Sequence, residues 1–249
     1  MTIPLEDNFP DIVGKARRGL GHPGGSLPAL EADIRKLASS LRLRPDALLA
    51  SARRSWHPQA APAIHGLKCF STAYGEMMVN SYLVIDPATG EAAAFDTGMD
   101  CSAMLALGAP IRQVFLTHIH RDHISDLEKL LRTTGAKAFV SEREPLPGAT
   151  AFSDGATFQI GKLRVETRRT SGHAAGGTTF VVTGLERPLA FTGDALFSGS
   201  MGGAPRRAWD EALNSLRQQI LTLPEETILC PGHGPLTTVA EEKAHNPFA

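Results

Sequence analysis

Three histidines and one aspartate lie within six consecutive positions of the chain: His118, His120, Asp122 and His123. The apolar residues 114–116 come shortly before them and predict a buried strand. In an extended segment, side chains two positions apart point to the same side, so His118 and His120 could converge on one metal ion. Asp122 and His123 fall where we expect the strand to give way to a helix, and a turn there would aim them at a second ion. Imidazole and carboxylate groups form a mixed ligand set that zinc and iron both accept.

Three separate motifs later in the chain supply further candidate ligands. His173 lies in the segment Ser-Gly-His-Ala-Ala-Gly-Gly, whose glycines permit a tight turn. Asp194 and His233 each follow an apolar run, in Phe-Thr-Gly-Asp and in Cys-Pro-Gly-His-Gly. The four remaining histidines are interpreted as ordinary surface or packing residues: His22, His57, His65 and His245. The competing interpretation, a chance group of surface histidines on a loop, is disfavoured because the first motif directly follows a buried type of strand.

The composition is ordinary for a globular enzyme and argues against several classes of partner. The 249 residues can hold one large domain with a small appendage, and 42% are apolar and 20% charged. A net charge near -1 gives no reason to expect binding to nucleic acid or to a membrane surface. No apolar run is long enough to span a membrane and no secretory leader follows Met1, so we expect a cytoplasmic protein. The three cysteines are widely spaced and odd in number, which argues against a disulfide framework.

Residues 1–65 are predicted to form a helical extension that is separate from the rest of the chain. Apolar residues fall on one face of a helix: Leu30, Ile34, Leu37 and Leu41. Pro45 suits the first turn of the next helix. The region weakly resembles the first and last helices of lambda-repressor-type helix-turn-helix domains, through residues 15–21 and 37–49. The stretch that should hold the recognition helix is short and rich in glycine and proline, which disfavours DNA binding. A homodimer formed through these helices, or a cover over an active site, is the expected role.

A proline- and alanine-rich joint at residues 56–63 marks the boundary to a second domain, residues 66–249. Strands are predicted at 67–71, 79–85, 92–95, 114–116, 136–140, 156–160, 163–167, 178–182, 189–192 and 227–230. Helices are predicted at 101–107, 126–132 and 209–221. Two runs of strands with helices between them suggest two packed sheets with helices outside.

The ordered series of motifs resembles the metallo-beta-lactamase superfamily, from about Cys69 to the C-terminus. The resemblance implies an α/β fold, an αββα four-layer sandwich, with a two-metal site at one edge of the sheets. It implies that one metal is held by His118, His120 and His173. It implies that the other is held by Asp122, His123 and His233. Asp194 would bridge the two ions.

Within that superfamily, the segments around Asp194 and His233 and the tail 237–248 look like the glyoxalase II branch. That branch includes short thioester hydrolases and persulfide dioxygenases. A true beta-lactamase normally has Cys at the position of Asp194, which argues against antibiotic hydrolysis. The loop 199–203 lacks the basic residue of glutathione-binding relatives. Arg206 and Arg207 could replace it as a clamp for a carboxylate, although a solvated pair of arginines is the more ordinary interpretation.

The predicted chemistry is hydrolysis of a thioester or ester by a hydroxide that bridges two divalent metal ions. Zinc is the first candidate for both ions, and iron and manganese are alternatives. Asp122 is the candidate catalytic residue because it could also orient the hydroxide or accept its proton. Asp96, Thr117 and Ser171 are placed to fix the tautomers of the imidazoles, and each is equally typical of a cap or turn.

The substrate of the hydrolase is expected to be a small molecule. Two other functions remain open. A persulfide dioxygenase uses one iron with two His and one Asp, which this chain could supply as His118, His173 and Asp194. A regulator would combine a metal domain that senses a ligand with an N-terminal region that binds DNA or a partner. The number of metals per chain would separate the first alternative from the hydrolase.

Overall fold

The structure is a computed structural model that describes the backbone of residues 27–249 and the side chains from residue 31 onward. The glycine- and proline-rich stretch 19–25 and His22 lie outside the described residues. Two sheets of six strands contain all the strands of the described chain. The first is formed by β1 (Leu67–Tyr74), β2 (Met77–Ile85), β3 (Ala92–Phe95), β4 (Ile111–Phe115), β5 (Lys137–Ser141) and β6 (Ala149–Phe152). The second is formed by β7 (Thr157–Ile160), β8 (Leu163–Arg169), β9 (Thr178–Thr183), β10 (Leu189–Gly193), β11 (Ile228–Pro231) and β12 (Thr237–Thr238).

Seven helices accompany these sheets in the described part of the chain. They are α1 (Leu27–Ser40), α2 (Pro45–Ala52), α3 (Ser102–Leu105), α4 (Arg121–Ile124), α5 (Leu127–Thr134), α6 (Trp209–Ser215) and α7 (Val239–His245). A π-helical turn, Leu216–Ile220, extends α6, so the predicted helix 209–221 is formed by two segments. None of the described helices has both the length and the apolar character that a membrane span requires.

The two sheets face each other across an aromatic core. Phe95 of β3 stacks on Phe191 of β10 with ring centroids 3.8 Å apart, and Phe115 and Phe180 pack beside them. These four rings are fully buried, so they remove a large apolar area from water and fix the spacing of the sheets. The outer face of the first sheet is covered by α3 and α5, and that of the second sheet by α6. The expected αββα arrangement is confirmed.

The helices α1 and α2 pack on the same side as α6. Ile34 and Leu48 are buried in one apolar cluster together with Leu213 of α6. The guanidinium of Arg217 donates to the backbone carbonyl of Arg42 at 2.6 Å. Both predicted N-terminal helices are therefore present, and the described part of the N-terminal region shares a core with the second sheet.

Strand direction determines where the site can form. β3 and β4 are parallel, as are β10 and β11, and β8 runs in the same direction as β10 because both pair antiparallel with β9. The carboxyl ends of parallel strands meet at one edge of a sheet, and each candidate ligand motif follows such an end. One expectation about this edge is wrong. β4 ends at Phe115, so His118 and His120 lie in the loop after the strand rather than within extended strand structure.

Candidate metal centre

Three groups of side chains could each hold a metal ion in the described part of the chain. Within each group the ligand atoms lie within 4.8 Å of one another. The groups are His118, His120 and His173; His118, His123 and Asp194; and Asp122, His123 and His233. All seven residues that the sequence singles out as ligands are therefore brought together at the same sheet edge, and none of them lies elsewhere.

The Asp194 carboxylate lies between the first and last of these groups. Its Oδ2 is 3.4 Å from Nε2 of His173 and 3.5 Å from Nε2 of His233, and its Oδ1 is 3.2 Å from Nε2 of His123. Asp122 Oδ2 faces His233 Nε2 at 3.3 Å. A single carboxylate can therefore reach ions on both sides, which is the arrangement that a shared ligand needs.

Backbone and side-chain acceptors fix the outward nitrogen of several imidazoles. Nδ1 of His173 donates to the carbonyl of Gly203, and Nδ1 of His233 to the carbonyl of Met78, each at 2.6 Å. Nδ1 of His123 is 2.8 Å from Asp96 Oδ2. With the proton held on Nδ1, the lone pair on Nε2 points into the centre, as a metal ligand requires.

Asp96 organises the first loop from within a strained backbone conformation. Its φ of 57° is one that few residues without glycine's freedom adopt. Its carboxylate accepts from the backbone N–H and the hydroxyl of Thr117, both at 2.8 Å, besides its contact with His123. Asp96 and Thr117 thus have the supporting positions expected of them. Ser171 does not, because its hydroxyl donates to Glu211 at 2.6 Å rather than to any candidate ligand among the described residues.

Buried atoms at the centre lack the partners that buried polar atoms normally have. Nε2 of His118, Nε2 of His123 and Oδ1 of Asp194 are inaccessible to water and make no hydrogen bond within the described residues. Such groups are costly unless a ligand satisfies them. Imidazole nitrogens and a carboxylate oxygen are donors that zinc and iron accept, so these unsatisfied atoms fit the metal that the motif predicts.

The ionisation of these groups is consistent with that fit. Burial and the neighbouring His123 hold the pKa of His118 well below its usual value, so its imidazole is neutral and able to ligate. Burial opposes ionisation of Asp194, but the adjacent imidazoles of His123 and His233 hold the pKa of this carboxyl group well below the usual range. Burial lowers the pKa of His233 but is outweighed by Asp122 and Asp194, which raise it to about 10. An ion bound there would displace a proton.

Two glycines allow the loops to approach the centre. A side chain at Gly232 would collide with Asp194 Oδ1 and with the ring of His123, the latter at 2.6 Å. Gly172, at φ 134°, packs its backbone on Ala212, where a Cβ would lie 2.5 Å away. A larger residue at position 232 would push the His233 loop outward, and one at position 172 would do the same to the His173 loop.

The two candidate substrate-binding arginines, Arg206 and Arg207, lie on a short 3-10 turn three residues after Gly203. Both are exposed, and neither forms an ion pair with any residue that the structure describes. Their position leaves them free to reach a ligand, but no contact links them to the centre.

Sequence reasoning missed several residues that hold the site. The carbonyls of Gly203 and Met78 could not be recognised, because every residue has a carbonyl and only the fold selects these two. Asn80 was also missed: its amide donates to the carbonyls of Pro231 at 3.1 Å and Gly234 at 2.8 Å, on either side of His233. The sequence did contain one signal for Asn80, namely a polar residue within an otherwise apolar strand.

Comparison with known proteins agrees with this geometry. A family model described as the metallo-beta-lactamase superfamily matches residues 74–233, more than half of the chain. The chain belongs to that superfamily.

The relatives of this chain are named for different activities. The hydroxyacylglutathione hydrolase GloC of Haemophilus influenzae is 28% identical over 63% of this chain and 86% of its own length. The mitochondrial persulfide dioxygenase ETHE1 of Bos taurus is 33% identical over 67% of this chain and 70% of its own. Among solved structures, the BLEG-1 B3 metallo-beta-lactamase is similar at a TM-score of 0.63 and 26% identity, over 73% of this chain and 99% of that one. The relatives therefore support a metallo-hydrolase superfamily without agreeing on one substrate.

Proposed function

We propose that this protein is a binuclear metallo-hydrolase that cleaves a thioester or ester of a small molecule, with zinc as the metal. The observation that carries the proposal is the Asp194 carboxylate, which lies between His173 on one side and His233 on the other, 3.4 and 3.5 Å away. A centre built for one ion does not need ligands on both sides of a single carboxylate.

The residues fit two ions of the same type. His118, His120 and His173 would hold one, Asp122, His123 and His233 the other, and Asp194 would contact both. When bound, two such cations lower the pKa of a water to about 7 and polarise a carbonyl oxygen, which supplies hydroxide and an electrophile at neutral pH. No serine or cysteine nucleophile is then needed.

Other groups of the chain would orient the imidazole ligands and the attacking water. The Gly203, Met78 and Asp96 acceptors keep the proton of each attached imidazole on Nδ1, so that Nε2 stays available. Asp122 Oδ2, 3.3 Å from His233, is a carboxylate that can orient an attacking water or accept its proton in addition to binding metal. Thioesters are favoured over other esters by the similarity to the named hydroxyacylglutathione hydrolase.

Elemental analysis and a substrate panel test the proposal. About two zinc ions per chain are expected, together with turnover of S-lactoylglutathione or of a short acyl thioester without glutathione, and no cleavage of a beta-lactam. His120→Ala should lose metal and reduce turnover by at least a hundredfold while remaining folded. His65→Ala, which changes an exposed histidine outside the centre, is the matched control. Unchanged turnover in His120→Ala would refute the mechanism.

A mononuclear-iron persulfide dioxygenase is the second candidate. It is favoured by the 33% identity to the bovine protein of that name and by His118, His173 and Asp194, which could supply its two His and one Asp. About one iron per chain, with oxygen consumption on addition of a persulfide, would replace the hydrolase by this function.

A further inference from the structure

The C-terminal helix α7 carries a carboxyl group that lies in the protein interior. Glu242 is fully buried, and its side chain is surrounded by donors. Thr237 donates to Oε1 at 2.7 Å, and Asn246 donates to Oε2 at 2.7 Å. The third donor is the backbone N–H of Gly199, 3.0 Å from Oε2. Glu242 thus binds a turn that follows the bridging aspartate in sequence, on a different element.

That turn is closed on itself and held from several directions. Phe197 and Ser200 exchange two backbone hydrogen bonds, at 3.1 and 3.0 Å, with Gly199 at φ 66° between them. The Asn246 amide donates to the carbonyl of Ser200 at 2.9 Å. The indole of Trp56 covers the other side of Gly199. We call residues 197–203 the buckle loop.

Both ends of the buckle loop contact the metal centre. At its start, the ring of Phe197 meets that of His233 edge-on, with centroids 5.4 Å apart. At its end, the Gly202 N–H donates to the backbone carbonyl of Asp194 at 2.9 Å, and the Gly203 carbonyl accepts from Nδ1 of His173 at 2.6 Å. The orientation of His173 therefore depends on where the loop places one carbonyl.

The burial of Glu242 is costly for the folded protein. Burial raises its pKa to about 7, although hydrogen bonds from Thr237, Asn246 and Gly199 partly oppose the shift. An apolar residue would avoid that cost, but it could not accept the Gly199 N–H. The hydrogen bonds that the Glu242 carboxyl group accepts therefore explain why a glutamate is buried at this position.

We propose that Glu242 is a positioning residue for the metal centre: it fixes the buckle loop, and the loop fixes His173. The inference rests on the proposed function in so far as His173 binds metal. Glutamine at position 242 can still accept from Gly199 and Asn246 through its amide oxygen and donate to Thr237, so it should preserve the loop. Methionine has a similar length and no strong acceptor, so it should release the loop without opening a large cavity.

The test compares Glu242→Gln, Glu242→Met and Glu241→Ala in the full-length protein loaded with zinc. Glu241→Ala is the control, because it removes the bond that the Glu241 side chain makes in the capping box of the same helix without touching the buckle loop. Zinc affinity is measured by competition with a chelator, and hydrogen exchange of the Gly199 and Gly202 amides reports the loop directly. Glu242→Met should lose 10- to 100-fold in affinity for one of the two ions and exchange both amides at least tenfold faster. Glu242→Gln and Glu241→Ala should resemble the wild type in both measurements.

The outcomes separate the positioning role of Glu242 from the proposed binuclear function. A folded Glu242→Met protein with wild-type exchange and zinc affinity overturns the positioning role. Equal losses in Glu242→Met and Glu241→Ala also overturn it, because helix stability alone would then explain both. If Glu242→Met does not fold, Asn246→Ala replaces it, since that variant removes the bonds from Asn246 to Ser200 and to Glu242 and keeps the bond between Gly199 and Glu242. A wild-type protein that binds fewer than two zinc ions contradicts the binuclear function, whereas the exchange measurement still decides the role of Glu242.

Discussion

At the scale of single residues, Asp96 decides which nitrogen of His123 faces the centre. Its carboxylate accepts at Oδ2 from both the Thr117 hydroxyl and His123 Nδ1, at 2.8 Å each. In Asp96→Asn, an NH2 group at that position would face two donors and favour the tautomer with the proton on Nε2. Asparagine tolerates the positive φ, so the backbone should remain intact. We expect a 10- to 100-fold loss of zinc affinity in a chelator competition.

Asp100→Asn is the matched control for that experiment. Asp100 is an exposed carboxylate paired with Lys129 at 3.1 Å, away from the candidate ligands. The same change of charge and shape there should leave zinc affinity unaltered. Equal effects of the two substitutions would show that net charge, rather than the tautomer of His123, controls binding.

Glu242 also predicts how stability varies with pH. Burial raises its pKa from 4.5 to about 7, so the folded state resists ionisation that the unfolded chain accepts. The stability associated with the neutral carboxyl is fully present below pH 4.5 and is lost as the pH rises to about 7. The shift corresponds to on the order of 3 kcal/mol. Glu242→Gln has no proton to lose, so its free energy of unfolding should exceed that of the wild type at pH 8 and approach it near pH 5. An equal difference at both pH values in urea denaturation would contradict this assignment.

At the scale of elements, the spacing of apolar residues and the residues that flank each run predict the strands and helices that have a long apolar face. The strands β2 and β10 and the helix α5 follow from such patterns, and the ligand motifs follow because they stand at strand ends. Three elements were not predicted: β6, β12 and α7. β6 is half exposed and reads Ala-Thr-Ala-Phe, and β12 has two residues, so neither has enough alternation to be recognised. They form because a neighbouring strand offers them hydrogen bonds.

The helix α7 shows why local sequence was insufficient for the site. Its Thr-x-x-Glu pattern is a capping box, formed by Thr238 and Glu241, and could have marked a helix start. Its second glutamate, Glu242, looks like an ordinary solvated charge in the sequence, since glutamates are seldom fully buried. Only the fold brings it beneath Gly199, 43 positions away. The candidate ligands were predictable because their residue types are specific to metals, whereas the groups that orient them are carbonyls and a glutamate selected by tertiary contact.

At the scale of the whole molecule, the N-terminal helices and the second sheet share one apolar cluster. Leu48 of α2 is completely buried there, in the cluster that also contains Leu213 and Phe248. The backbone N–H of Arg44 donates to the carbonyl of Pro247 at 2.8 Å, which joins the start of α2 to the C-terminal tail. Removing part of this cluster should therefore destabilise the sheets as well as the helices.

Leu48→Ala tests that dependence. Truncating a fully buried leucine costs about 2–5 kcal/mol, which should lower the melting temperature by roughly 4–20 °C in a chain of this size. Leu107→Ala is the control, because Leu107 is 48% exposed and should melt within a degree or two of the wild type. We expect one cooperative transition in calorimetry, shifted as a whole in Leu48→Ala. A separate early transition, with the main one unmoved, would show that α1 and α2 unfold independently and that the metal centre does not depend on them.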